Sequence, residues 1–257
     1  MYDELDVLQA INDHAIWACA LGALAFLANW TYFYACVQGA RRDRCSPMAL
    51  WGTTIFIAHD GSFLVNAEHW WTDYDGVAGA WMLPLFWCGL IVTFSFEAVF
   101  FSQTVRYGRN EYAPRLTQGQ WTAYCVAALA VGIIFFAVAK AYLDDPIYLM
   151  TFLVTYAMCA PATFQAVARR GDSAGLSPLL TTTYLLIGVF FVGLTTGVIG
   201  SEPAGAPFRD GLWLLCSVVV LAMAVVLIRL QRTLPPPGTT FVGRDGRAGH
   251  EAESRAR

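Results

Sequence analysis

The sequence predicts an all-α membrane protein of seven transmembrane helices, with the N-terminus outside and the C-terminus cytoplasmic. Three observations carry that expectation. Of 257 residues, 57% are hydrophobic and only 14% charged, whereas a soluble domain carries about 25% charged residues; the mean hydropathy is +0.49. The hydrophobic residues fall in blocks of about 20, enough to cross a hydrocarbon core of about 30 Å at about 1.5 Å per residue. Arginines collect in alternate connections between these blocks. So little polar surface excludes a soluble enzyme. A net charge of −3 without a basic stripe excludes a nucleic-acid partner.

Taken in chain order, the spans read as 15–37, 48–66, 78–101, 120–142, 147–168, 178–200 and 211–230. The N-terminal MYDELDVLQAINDH holds acids and no Lys or Arg, unlike the basic start of a signal peptide. The connections after spans one, three and five hold Arg41, Arg42, Arg44, Arg106, Arg109, Arg115, Arg169 and Arg170. Arg229, Arg232, Arg244, Arg247, Arg255 and Arg257 follow at the end of span seven and in the tail. Fourteen of the sixteen basic residues therefore share one side, leaving Lys140 and Arg209 on the other, and the positive-inside rule sets the orientation. The domain organisation is a seven-helix domain over 1–232 and a cytoplasmic tail over 233–257, where Pro, Gly and charges predict disorder. Loops RRDRCSP and RRGDSAGLSP both offer Arg-Arg, a polar turn and Ser-Pro, which suggests a 3+1+3 parallel repeat with span four as the linker.

Of the 19 acids, 17 fall in loops or tails; Asp60 and Glu97 lie within spans two and three. A carboxylate at mid-bilayer costs about 2.5–3.5 kcal/mol on insertion scales, which makes both candidates for catalysis. Neither span holds a lysine or arginine to pair with them, so at least one carboxyl is expected to be protonated and able to donate. Asp60 reads as near mid-bilayer, and Glu97 as four residues from the cytoplasmic end of span three. Span two, FIAHDGSFLVNAEHWW, carries His59 and Asn66 on one face, flanked by Phe56 and Phe63. With Glu68 at the outer mouth, and Trp87 and Phe94 on span three, these residues are the expected substrate-binding set. Trp70 and Trp71 read as an interfacial anchor.

The seven cysteines show no CxxC or CxxH spacing, and Glu68 and His69 lie about 12 Å along the helix from Asp60, too far to share one ion with it. No metal or other cofactor is expected. Aromatic residues make up 14% of the chain, and desolvated aromatic faces stabilise cations by about 2 kcal/mol.

The loops RRDRCSP and RRGDSAGLS, with Arg170, Ser173, Gly175 and Ser177 at matching spacing, resemble the integral-membrane terpene cyclases of fungal meroterpenoid pathways and their bacterial relatives. FEAVFFSQTVRYGRNE is similar to that family's third span at Glu97, Tyr107 and Gly108. Where the family carries Trp-Glu in span two this chain has His59-Asp60, and its last span holds no acid, Asp210 standing at the outer mouth. The resemblance implies metal-independent protonation and cyclisation of an isoprenoid chain on a lipophilic substrate, with Asp60 and Glu97 as the acids, in the bilayer of a bacterial plasma membrane. The alternative expectation is a small seven-helix transporter of the PQ-loop or sugar-transporter type.

Overall fold

The computed structural model describes residues 2–143, 145–201, 208 and 210–238. It is helical throughout the described residues, with no strand among them. The elements are α1 (Glu4–Asp13), α2 (Ala15–Asp43), α3 (Leu50–Val65), α4 (Ala67–Asp73), α5 (Met82–Tyr112), α6 (Gln118–Leu143), α7 (Leu149–Arg170), α8 (Pro178–Val192) and α9 (Gly211–Thr233). A π-helical turn, Gly193–Val198, and a 3-10 turn, Ile199–Ser201, extend α8.

Six of these helices are long and apolar enough to cross a membrane: α2, α5, α6, α7, α8 with its π turn, and α9. Span two of the sequence reading is the shorter α3. Its 16 residues rise about 24 Å. It ends where the Asn66 side-chain amide turns back to donate to the Ser62 carbonyl, at 2.7 Å, and α4 begins beyond. Several helices outrun their apolar windows. α2 continues through Arg41 and Arg42, and α5 through Arg106 and Arg109, because charged side chains end a hydrophobic stretch without interrupting backbone hydrogen bonding.

α1 was not anticipated as an element. The Asp3 carboxylate caps it by accepting from the Leu5 and Asp6 amides, and Val7, Leu8 and Ile11 are buried beneath it. The Tyr2 hydroxyl donates to Asp145 Oδ1 at 2.5 Å, and Asp145 Oδ2 accepts from the Thr151 amide and hydroxyl in the first turn of α7. Burial and the neighbouring Asp145 charge raise the Tyr2 phenol above its ordinary value.

α2 packs on α8 and α5; α3 on α5, α6 and α7; α9 on α7 and α8. The triplets α2–α3–α5 and α7–α8–α9 share a pattern, the third helix packing against both others while the first and second make no substantial contact. The core lies between α2, α3, α5, α7 and α8, with α6 turning Val131, Ile134 and Val138 outward.

At the arginine-rich end the loops after α2 and α7 dock on each other. Arg170 Nη1 meets Glu111 Oε2 at 3.0 Å and donates to the Ser46 carbonyl, while Nη2 donates to the Ala174 carbonyl. Glu111 Oε1 accepts from the Ser46 amide at 2.6 Å, and Asp43 Oδ2 accepts from the Gly175 amide at 2.7 Å. Gly39 is required here: a Cβ would stand 2.6 Å from the Gly175 carbonyl oxygen. The start of the tail joins this network. The Pro235 carbonyl accepts from the Ser173 amide and hydroxyl, and the Gly238 amide donates to Asp172. The tail expected to be disordered from 233 onward is thus docked where it is described, at Pro235 and Gly238; residues 239–257 lie outside the described residues.

Candidate functional site

Asp60 stands ten residues beyond the start of α3, about 15 Å of rise. Glu97 stands fifteen residues from either end of α5, at its midpoint rather than near the cytoplasmic end. The sequence reading misplaced it by ending span three at 101, where the apolar run stops but the helix does not. The two carboxyls belong to directly packed helices and line one cavity. Asp60 is 2% exposed and Glu97 0%.

His59 Nδ1 and Asp60 Oδ1 are hydrogen-bonded at 2.6 Å. The His59 ring is held by Phe136, Phe152 and Tyr148, with centroids 5.3, 5.8 and 6.1 Å away. His59 Nε2, Asp60 Oδ2 and both Glu97 oxygens are buried and meet no nitrogen or hydroxyl partner, the two carboxyls lying within hydrogen-bonding reach of each other. Four such atoms converging on one place depart from the rule that buried polar groups are satisfied, and they surround a cavity of about 20 Å³ lined also by Asn29, Phe33, Phe56, Thr93, Phe152, Thr155 and Tyr156. That volume admits one water or one small polar group.

A second cavity, of about 270 Å³, lies alongside. Its wall is apolar, with Phe26 and Gly22 from α2, Leu85 and Phe86 from α5, Leu149 from α7 and Phe191 from α8 among its residues. Ile11 of α1 also faces it. Asn29 and Phe152 line both cavities and so mark their junction. Toward the arginine-rich end, Phe33, Phe56 and Phe100 pack edge to face. No lysine or arginine lines either cavity among the described residues, and no group of three His, Cys, Asp or Glu among them is arranged to hold a metal ion.

Of the expected site residues, Asp60, Glu97, His59 and Phe56 come together here. The others sit elsewhere. Phe63 packs on Trp70 and Tyr148. Asn66 caps α3 and donates to the Tyr148 hydroxyl. Glu68 is exposed on α4. Trp87 Nε1 donates to the Leu64 carbonyl, and Phe94 lies against Gly61. Trp70 is 1% exposed and donates to the Pro146 carbonyl, so it is a core residue and not an interfacial anchor; Trp71 is exposed. The sequence reading missed Asn29, Thr93, Phe152, Thr155 and Tyr156. Asn29, a polar side chain inside the apolar run LGALAFLANW, was the signal that could have been followed. Comparison with protein-family models, with curated proteins and with solved structures gives no match.

Chemically, the trio can hold and pass a proton while its remaining lone pairs and donor positions face an almost dry space. The two cavities share Asn29 and Phe152, while neither carboxyl lines the larger one.

Proposed function

We propose that the protein is a membrane-embedded terpene cyclase that protonates and cyclises the isoprenoid chain of a lipophilic, prenylated or epoxidised substrate. The observation that carries this reading is the junction of an apolar cavity of about 270 Å³ with a buried carboxyl pair. That volume lies just below the range of about 300–1,000 Å³ common for small-molecule pockets. A carboxyl of the Asp60–Glu97 pair donates its proton to a terminal epoxide oxygen or alkene carbon. The epoxide C–O bond or the π bond gives up its electrons, and an internal double bond attacks the resulting cationic carbon to close a ring. Loss of a proton from carbon to a carboxylate restores neutrality, so product and substrate are isomers. Apolar walls exclude water, which would trap the cation, and Phe26, Phe86, Phe152 and Phe191 on the larger cavity offer π faces to it.

In this reading α3 is a seventh crossing beside the six longer helices, with Asp60 near mid-bilayer and the arginine-rich loops in the cytoplasm. The matched packing of the two triplets supports a 3+1+3 repeat. That same packing favours a second reading, a small proton-coupled transporter. A transporter needs a polar path reaching both faces. Phe33, Phe56 and Phe100, packed beneath the acids, favour the cyclase.

The test is to incubate membranes bearing the protein with prenylated aromatic and indole substrates, with and without terminal epoxides. Isomers of unchanged mass are expected. Their absence, together with proton-dependent uptake of a polar solute into intact cells, would replace the cyclase by the transporter.

A further inference from the structure

Asn29 lies in α2 and is 8% exposed. Among the nineteen residues lining the larger cavity it is the one carrying an amide, hydroxyl or charge, and it also lines the smaller one. An asparagine placed in a membrane helix for packing bonds to a neighbouring helix. This one is not held in a hydrogen bond to a neighbouring helix among those of the described residues, and it is not one of the fully enclosed polar groups; its amide stands on the wall of both cavities. The nearby Thr93 hydroxyl is taken by the Gly89 carbonyl at 3.2 Å, and Thr155 stands on the wall of the same small cavity.

We propose that Asn29 is a specificity-determining residue: its amide at the junction binds a neutral oxygen of the substrate. An amide both donates and accepts, which suits a hydroxyl, carbonyl or ether oxygen. A carboxylate or phosphate finds no lysine or arginine on either wall among the described residues. The ligand class is therefore a neutral lipid with one oxygen function near the reacting end and its chain in the apolar cavity. Holding that oxygen fixes which carbon lies against Asp60 and Glu97. The proposal rests on the cyclase reading in taking the occupant to be the substrate.

The test is a binding competition on the purified full chain between farnesol and farnesene, a fifteen-carbon chain with and without a hydroxyl. Native mass spectrometry reads the occupancy, so no turnover is needed. The wild-type protein is expected to favour farnesol by about tenfold, equivalent to about 1.4 kcal/mol. Asn29→Leu, similar in size and apolar, is expected to lose the preference while still binding farnesene, and Asn29→Ser to retain part of it. A Cβ at Gly22 meets nothing within 4 Å, so Gly22→Phe is expected to fill the cavity and remove both ligands. Equal binding of the two by wild type, or an unchanged preference in Asn29→Leu, overturns the proposal. The preference without isomer formation removes the cyclase reading alone, and isomer formation without the preference removes the Asn29 assignment alone.

Discussion

The arginine-rich loop face and the middle of the helix bundle both bury ionisable groups, but they treat them in opposite ways. At the loop face, Glu111 and Arg170 are paired with each other, and both also bond to backbone of the first loop, while Asp43 holds the third loop by the Gly175 amide. In the middle, His59 bonds to Asp60, the Asp60 and Glu97 carboxyls lie within reach of each other, and four polar atoms on a cavity meet no nitrogen or hydroxyl partner. A buried charge paired with its counter-charge and bonded to backbone, as Arg170 is through both Nη atoms though not through Nε, is a clasp. A buried acid with its bonds open faces a ligand. Removing a partner should therefore cost stability at the loop face and activity in the middle.

The largest expected effect is on activity. Asp60→Asn keeps shape and hydrogen bonding but removes the transferable proton, and general acids contribute about 10²–10⁴-fold. Isomer formation should fall by at least about a hundredfold while the thermal midpoint in detergent stays close to wild type. A folded variant retaining more than about a tenth of the activity removes Asp60 from the mechanism. The complementary substitution is Arg170→Met, which strands the Glu111 carboxylate. It should destabilise the protein by about 3–5 kcal/mol, measured by denaturation in detergent, with activity per folded molecule retained. Adding Glu111→Leu should recover only part of that, because the Ser46 amide then loses its acceptor, at about 1–3 kcal/mol. If the single and double variants are equally stable, the clasp is not what holds the loops.

A smaller effect is expected at Gly39. Gly39→Ala forces a Cβ to 2.6 Å from the Gly175 carbonyl, an overpacking that costs about 1–3 kcal/mol, and the same denaturation measurement checks it. The last concerns Cys45 and is invisible at neutral pH. Burial is the main cause that pushes its thiol from 9.0 up to about 12, against the lowering influence of Arg170. A group whose folded value is raised contributes stability below its unfolded value and loses it as pH rises toward the folded one. Stability should thus decline between about pH 9 and 12, and Cys45→Ala should flatten part of that decline. An identical decline in both proteins would show that Cys45 contributes nothing to it.

Much of the architecture was legible in the sequence because the bilayer imposes a simple rule: an uninterrupted apolar run must become a helix to satisfy its own backbone. Six runs long enough to cross follow from that rule, as does the helix at α3. The same reasoning flagged Asp60 and Glu97, since an acid in such a run is costly wherever it points. Helix ends were less legible. Hydropathy ends where charge begins, at Arg41 or Arg106, whereas helices end where capping and packing stop them, at Arg44 and Ala113. That error hid the level pairing of Glu97 with Asp60.

What the sequence by itself determined is the set of helices and the rarity of buried charge, because both depend on local composition against a uniform apolar solvent. Only the tertiary structure decided which faces meet. One helical face of α3 holds residues that were indistinguishable in sequence. Packing of α5, α6 and α7 around it put His59, Asp60 and Phe56 on a cavity wall, while Phe63 and Asn66 went into contacts with Trp70 and Tyr148. Asn29 and Thr155 joined that wall from helices distant in the chain. Side-chain spacing fixes the face of one helix, but a cavity is bounded by several, and their relative rotation is set by how their side chains interlock.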